Sequence, residues 1–329
     1  MSIHTQIEKT YEFFNTHPMS IIAIFLIILP WIMPSFSVAT DILIFGLFAM
    51  GFNLLLGQTG ILSFGHASFF GLGAYGTAIF LMKPASVPRV TVSVGWFGLI
   101  TGVALATVVA LAIGLLSLRR KGTYFALITV AFNMMLYFIF IQNPYNLTGG
   151  GDGLVGIPTP ALLFFENWRT PLTWYYFCAF IVIMAIALLR AIQTSPFGEV
   201  LKAISENEER VKLLGYDTER FKLISFTLSG LFSGLAGSLF AFHLNYAGLD
   251  SLYWMVSGEV LVITLLGGFR TFFGPLIGSI AYILLKDGIS AITENWMIVM
   301  GVIVMSIILI FRGAGILEII ERFAHKEAK

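Results

Sequence analysis

Apolar runs separated by short polar connections recur along the chain, at 21–35, 41–57, 60–82, 96–117, 123–142, 173–190, 224–247, 256–268, 273–285 and 296–311. A helix needs about 20 apolar residues to cross a bilayer core and tolerates about 17 to 25. The pattern predicts an all-α integral membrane protein with about ten transmembrane helices (8–10), several of them short. Two pairs, 41–57 with 60–82 and 256–268 with 273–285, are joined by almost no loop and predict broken or re-entrant helices. Residues 21–311 then form a single polytopic domain between an N-terminal segment, 1–20, and a tail, 312–329.

The longest polar run, SPFGEVLKAISENEERVKLLGYDTERFKL at 195–223, has a different period. Pro196 opens it, and Val200, Leu201, Ile204, Val211 and Leu214 fall on one side of a helix. Glu199, Lys202, Glu206, Glu208, Glu209 and Lys212 lie elsewhere, so the helix is amphipathic. Helices that lie on a bilayer favour a Lys/Arg-rich polar face, whereas this one is rich in glutamate. Docking against a partner protein is the preferred reading.

Composition sharpens the membrane assignment. Hydrophobic residues make up 57% of the 329 positions and charged residues 11%, against about 25% charged in a soluble domain. A formal net charge of +1 points to neither a nucleic-acid nor an acidic partner. Charge matters by position. Lys and Arg concentrate at 119–121, at 190–222 and in the tail, and the positive-inside rule places these segments, with both termini, in the cytoplasm. Residues 83–95, 143–172 and 286–295 then face outside. The lone Cys178 reads as packing and excludes an intrachain disulfide.

Candidate chemistry is sparse. The chain has no G-x-x-x-x-G-K-[ST] phosphate loop, so ATP-driven transport would need its motor on a separate chain. Glu259 is read as the only acidic residue within an apolar run, close to Ser257. His243 reads as an interfacial, hydrogen-bonded residue. The segment LLLGQTGILSFGHASFFGLGAYG, 54–76, carries six glycines and the polar residues Gln58, Thr59, Ser63 and His66. His66 is expected about a turn and a half into the helix after the break. Backbone freed at such a break must be buried in protein or line a wet cavity; close packing through small residues is the alternative. LLLGQTGILSFG and TLLGGFRTFFGPLIG, at 264–278, resemble each other. Thr129 and Asn133 share a helix face, as glue between helices or as hydrogen-bonding groups for a solute. NLTGGGDGLVGIP, 146–158, reads as a tight or flexible loop.

The segments GQTGILSFGHASFFGLGAYG, RRKGTYFALITVAF, NLTGGGDGLVGIP, SPFGEVLKAISENEERVKLLGYDTERFKLISFTLSGLFSGLAGSLFAF and LVITLLGGFRTFFGPLIGS follow one another in the order and spacing of a known family. Over roughly 40–312 the chain resembles branched-chain amino acid ABC transporter permeases, the LivM-like subunits. The resemblance implies ABC importer architecture in a prokaryotic plasma membrane. Two permeases, the second LivH-like, form the pathway; separate ATPase subunits bind ATP and Mg, so this chain holds no cofactor; an extracytoplasmic solute-binding protein delivers solute. It further implies a cytoplasmic coupling segment at 195–222, carried by Gly198, Glu199, Lys202, Ala203, Glu206, Asn207, Leu214 and Gly215. The pathway would be bordered by Gln58, Thr59, Gly60, Ser63 and His66, with Thr129 and Asn133 as further candidates. Relatives commonly carry an acidic residue and an arginine where this chain has Met134 and Tyr137. The more neutral pathway keeps urea or a short amide as the alternative solute. A self-sufficient carrier or channel is a further alternative, for which ion-coupling residues are lacking.

Overall fold

The computed structural model describes residues 18–82, 92–158, 170–310 and Gly315. Most of the N-terminal segment and of the tail therefore lie outside the described residues, as do 83–91 and 159–169 of the expected external loops. Eleven α-helices are described: α1 (Pro18–Ile32), α2 (Phe36–Thr59), α3 (His66–Met82), α4 (Val92–Ser117), α5 (Thr123–Ile141) and α6 (Pro171–Gln193), followed by α7 (Pro196–Leu213), α8 (Thr218–Leu244), α9 (Trp254–Gly267), α10 (Gly274–Ser290) and α11 (Trp296–Ile310). The amphipathic segment is α7; the other ten correspond to the ten apolar runs. Five helices, α2, α4, α5, α6 and α8, are long and apolar enough to cross a membrane.

Local chemistry sets the helix ends. Ser35 caps α2 by accepting a hydrogen bond from the Val38 N–H, and Gly60 closes it in the left-handed conformation (φ 69°) that glycine adopts without steric cost. Asp217 caps α8 through the Arg220 N–H, and Pro171 and Pro196 stand in the first turns of α6 and α7, where a missing N–H costs nothing.

Packing is organised around α2 and α8. α2 is surrounded by α6, α8 and α10, while α8 also packs on α3 and α4. Close approach here depends on small residues. A Cβ on Gly237 of α8 would overlap the Phe70 carbonyl oxygen, and one on Gly73 of α3 would overlap that of Gly234. Serines on α8 supply the remaining hydrogen bonds: Ser225 donates to Leu54 O (3.3 Å), Ser229 to Gly51 O (2.7 Å) and Ser238 to Gly73 O (3.1 Å). Such contacts drive helix association where lipid offers no hydrophobic gain. Cys178 is fully buried, as a packing residue should be.

Several expectations change. The run at 60–82 is not helical throughout: residues 60–65 are non-helical and His66 is the first residue of α3, because Gly60 ends α2 in the left-handed conformation and the Phe64 N–H bonds Thr129 Oγ1 rather than a helical carbonyl. Ser257 does not bond Glu259; its hydroxyl accepts the Ala67 N–H (2.8 Å), and Glu259 instead accepts from Tyr282 (3.2 Å) and pairs with Lys286 (3.6 Å). Glu259 is also not alone, since Asp41 lies inside α2 with its Oδ1 3.5 Å from His243 Nε2. His243 accepts from Trp174 Nε1 (3.1 Å) through Nδ1, which leaves Nε2 as the donor toward Ser37 Oγ (3.1 Å). The 146–158 loop is tightly turned: Leu154–Val155 pairs antiparallel with Tyr246–Ala247.

Gly237→Val tests the packing argument. Overpacking a core of this density costs about 1–3 kcal/mol or more, so this variant should unfold at lower temperature in detergent. Gly301→Val, where a Cβ meets open space, should leave the transition in place.

Candidate functional site

The break between α2 and α3 is built from side chains that replace lost helical hydrogen bonds. The Phe64 N–H donates to Thr129 Oγ1 (3.2 Å), the Gly65 N–H to Ser63 Oγ (3.2 Å), and the Ala67 N–H to Ser257 Oγ (2.8 Å). The N–H groups of Phe64, Gly65 and Ala67 are thus met by side-chain oxygens. Ser68 Oγ donates to Asn133 Oδ1 (2.7 Å), and Asn133 Nδ2 donates to the Leu252 carbonyl (2.9 Å), tying α3 and α5 to the turn before α9.

His66 is wholly buried, edge-on to Phe52, Phe69 and Phe226. Its Nε2 lies 2.8 Å from Ser229 Oγ. The Ser229 hydroxyl already donates to Gly51 O, so Nε2 is the donor and the ring is a neutral tautomer with Nδ1 unpartnered. Contacts with Gly51 and Ser229 put the start of α3 well inside the bundle, so residues 60–65 run back into it.

Ser63, His66, Thr129 and Asn133 are therefore brought together around the first turn of α3, buried and bonded to protein. Gln58, Thr59 and Gly60 lie apart, at the end of α2. Gln58 Nε2 donates to Gln193 Oε1 of α6 (3.4 Å), Thr59 turns back to Leu55 O, and Gly60 faces Ser205 of α7. Beside them opens a cleft of about 650 Å³. Thr59, Gly60, Leu62 and Phe64 of the break line one wall; Phe125, Leu127 and Val130 of α5, with Trp254, add to its apolar lining. Its mouth holds Arg120, Lys121, Lys222 and one carboxylate, Glu208.

The second break, between α9 and α10, packs against the last turns of α2. Asn53 Nδ2 of α2 donates to Thr271 O (3.3 Å), and a Cβ on Gly57 would overlap the Phe269 carbonyl oxygen. Arg190 of α6 stands over the rings of Phe272 and Phe273, 5.7 and 5.6 Å from their centroids. At 14 residues, α9 is about 21 Å long and falls short of the roughly 30 Å bilayer core.

Residues 35–309 match the family described as branched-chain amino acid transport system / permease component. The chain belongs to this family. It is 26% identical to the high-affinity branched-chain amino acid transport system permease protein LivM of Salmonella typhimurium, over 86% of this chain and 70% of that protein. LivM of Escherichia coli is likewise 26% identical, over 85% and 69%. The corresponding LivH of Escherichia coli is 25% identical over 72% and 78%. No solved structure matches. The chain is a multi-pass membrane permease subunit and not an enzyme.

In this permease α7 is not one continuous helix. Asn207 leaves helical geometry (φ −157°, ψ 94°), and its side chain accepts from the Arg210 N–H (3.0 Å), capping a second short piece. Gly198 packs so closely on Gln193 that a Cβ would overlap its backbone, and Ala203 is packed against the core. Glu199 and Lys202 pair with each other at the surface (2.9 Å), and Glu206 is exposed. Leu201, Ile204 and Val211 are buried as the pattern required, but Leu214 is 71% exposed, standing as the C-cap just past the last residue of α7. Gly215 follows at φ +90°.

The sequence pattern did not single out Glu208. Its carboxylate pairs with Lys121 (3.1 Å), Lys212 (3.2 Å) and Lys222 (2.7 Å), and accepts from Thr218 Oγ1 (3.3 Å). Partial burial opposes the charge, yet hydrogen bonds from Lys222, Lys121 and Lys212 outweigh it and hold the carboxyl down at about 2.

Two outcomes follow for the permease. Ser257→Ala strips the buried Ala67 N–H of its acceptor and should cost about 1–3 kcal/mol, read as a lowered unfolding midpoint in detergent. Glu208 has a depressed pKa, so its contribution to holding α7 is complete above its ordinary 4.5 and is lost as pH falls toward 2. Hydrogen exchange of the α7 amides should be flat with pH above 4.5 after correction for intrinsic rates, and should accelerate below it.

Proposed function

We propose that this permease forms half of the pathway of an ATP-driven ABC importer for branched-chain, hydrophobic amino acids in a prokaryotic plasma membrane. The partners are a LivH-like second permease, two ATPase subunits and an extracytoplasmic binding protein. The observation that carries the reading is the cleft: a largely apolar lining beside the broken α2–α3 segment, a basic mouth, and α7 at that mouth. An aliphatic side chain suits walls made by Leu62, Phe64, Phe125, Val130 and Trp254. Urea or a short amide would gain little from such walls, and the named relatives carry branched-chain amino acids in their descriptions.

The same reading gives α7 the role of coupling segment and makes its end of the bundle cytoplasmic, together with Arg119, Arg120 and Lys121 and both termini. About ten segments then enter the membrane, with α9 and α10 as short elements flanking the second break. Gln58, Thr59 and Gly60 border the pathway at its inner end; Ser63, His66, Thr129 and Asn133 hold the break in shape around it. Leu213 and Leu214, 88% and 71% exposed, are the natural contact for an ATPase groove.

Co-purification in gentle detergent, followed by reconstitution with leucine or urea, tests this. Recovery of ATPase and sister permease with ATP-dependent leucine uptake is expected; recovery of the chain alone, transporting without ATP, overturns the reading. Burying a leucine is worth about 1.5–3 kcal/mol, so Leu213→Glu with Leu214→Glu should weaken ATPase recovery by about tenfold or more. Gly215→Val, which forces a β-branched residue to positive φ, should lower uptake while membrane insertion is retained.

A further inference from the structure

We propose that Glu208 is a positioning residue that ties the moving end of α7 to the mouth of the cleft, so that displacement of α7 opens and closes it. The inference rests on the importer reading above and assigns the step by which motion of α7 reaches the pathway.

Glu208 sits between two points of flexure. Asn207 interrupts α7 immediately before it, and Gly215 at φ +90° ends the short piece that follows. That piece carries the exposed Leu213 and Leu214 at its far end. A push there turns 208–214 about Asn207. At the near end, the Glu208 carboxylate is bonded to two other elements: Lys121 in the connection between α4 and α5, and Lys222 in α8. Glu208, Lys121 and Lys222 all line the cleft, and Glu208 is the only carboxylate among its lining residues.

Charge makes the tie sensitive to position. Lys222 is 12% exposed and Glu208 18%, so this pair is screened less than one in open water. When the carboxylate withdraws, Lys121 and Lys222 lose the charge that lets them share the mouth, and repulsion favours separating their elements. When it returns, the mouth draws together. Neighbouring acids lack this geometry: Glu209 is exposed and does not line the cleft, and Glu199 pairs only within α7.

The experiment uses the full complex of both permeases, ATPases and binding protein in proteoliposomes, with ATP hydrolysis and leucine uptake measured together. Glu208→Gln should keep hydrolysis while uptake per ATP falls by about tenfold, the scale of losing one charge-assisted hydrogen bond. Glu208→Asp should regain part of the ratio, and Glu209→Gln should leave it unchanged. An unchanged ratio in Glu208→Gln overturns the proposal. If that variant fails to assemble, Lys121→Gln decides, because Lys121 lies in an exposed connection (64%) and its loss spares the core. A fall in its ratio supports the tie, and an unchanged ratio overturns it. Failure of the unmodified complex to import leucine with ATP instead overturns the importer reading itself.

Discussion

Everything in this structure depends on where the backbone hydrogen bonds go when a helix stops inside a bundle of apolar helices. Water is not available there to accept or donate. At residues 60–65 the solution is local and specific: Ser63, Thr129 and Ser257 present hydroxyl oxygens to the N–H groups of Gly65, Phe64 and Ala67. Three elements must be correctly placed for these bonds to form. α5 brings Thr129, α9 brings Ser257, and the turn before α9 brings the Leu252 carbonyl that fixes Asn133. Ending α2 early therefore commits much of the rest of the bundle to one arrangement.

Polar residues of the break divide into two groups by the same logic. Those buried at the first turn of α3 are consumed in satisfying backbone and each other, which makes them supports. Those at the end of α2 face α6 and α7. The surface left open between these groups is mostly apolar, so the permease presents a solute with side-chain walls and one face of a held-open backbone segment. The second break closes the arrangement from the other side, with Asn53 reaching Thr271 across the end of α2.

Much of this was legible in the residues. Apolar runs gave ten helices, the period of 195–223 gave α7, and glycines marked both breaks. The likeness of 54–65 to 264–278 foreshadowed two breaks, although not that the second would pack against the last turns of α2. Ser225 and Ser229 share one face of α8 and Ser238 lies on the opposite one, yet spacing alone does not say which helices they face. What pattern could not supply was long-range pairing. Ser257 serves Ala67 from 190 positions away, and Glu208 finds Lys121 and Lys222 only because α7 packs against α8 and reaches the connection after α4. Leu214 does not follow the periodicity because it stands past the end of α7 as its C-cap, whereas Val211, still within the helix, is buried.

The break in α7 and the break after α2 obey one rule with opposite consequences. Inside the bundle, the Phe64, Gly65 and Ala67 N–H groups are bonded to side-chain hydroxyls, and the segment has little freedom. At the end of α7 the Asn207 cap, the Glu208 ion pairs and the buried Val211 hold the piece from 208 to 214, with two leucines left exposed. Rigidity at the cleft wall and looseness at the cleft mouth are then products of how completely each interruption is satisfied. Motion delivered to the loose element meets a firm wall beside it, and the relative displacement falls where Glu208, Lys121 and Lys222 converge.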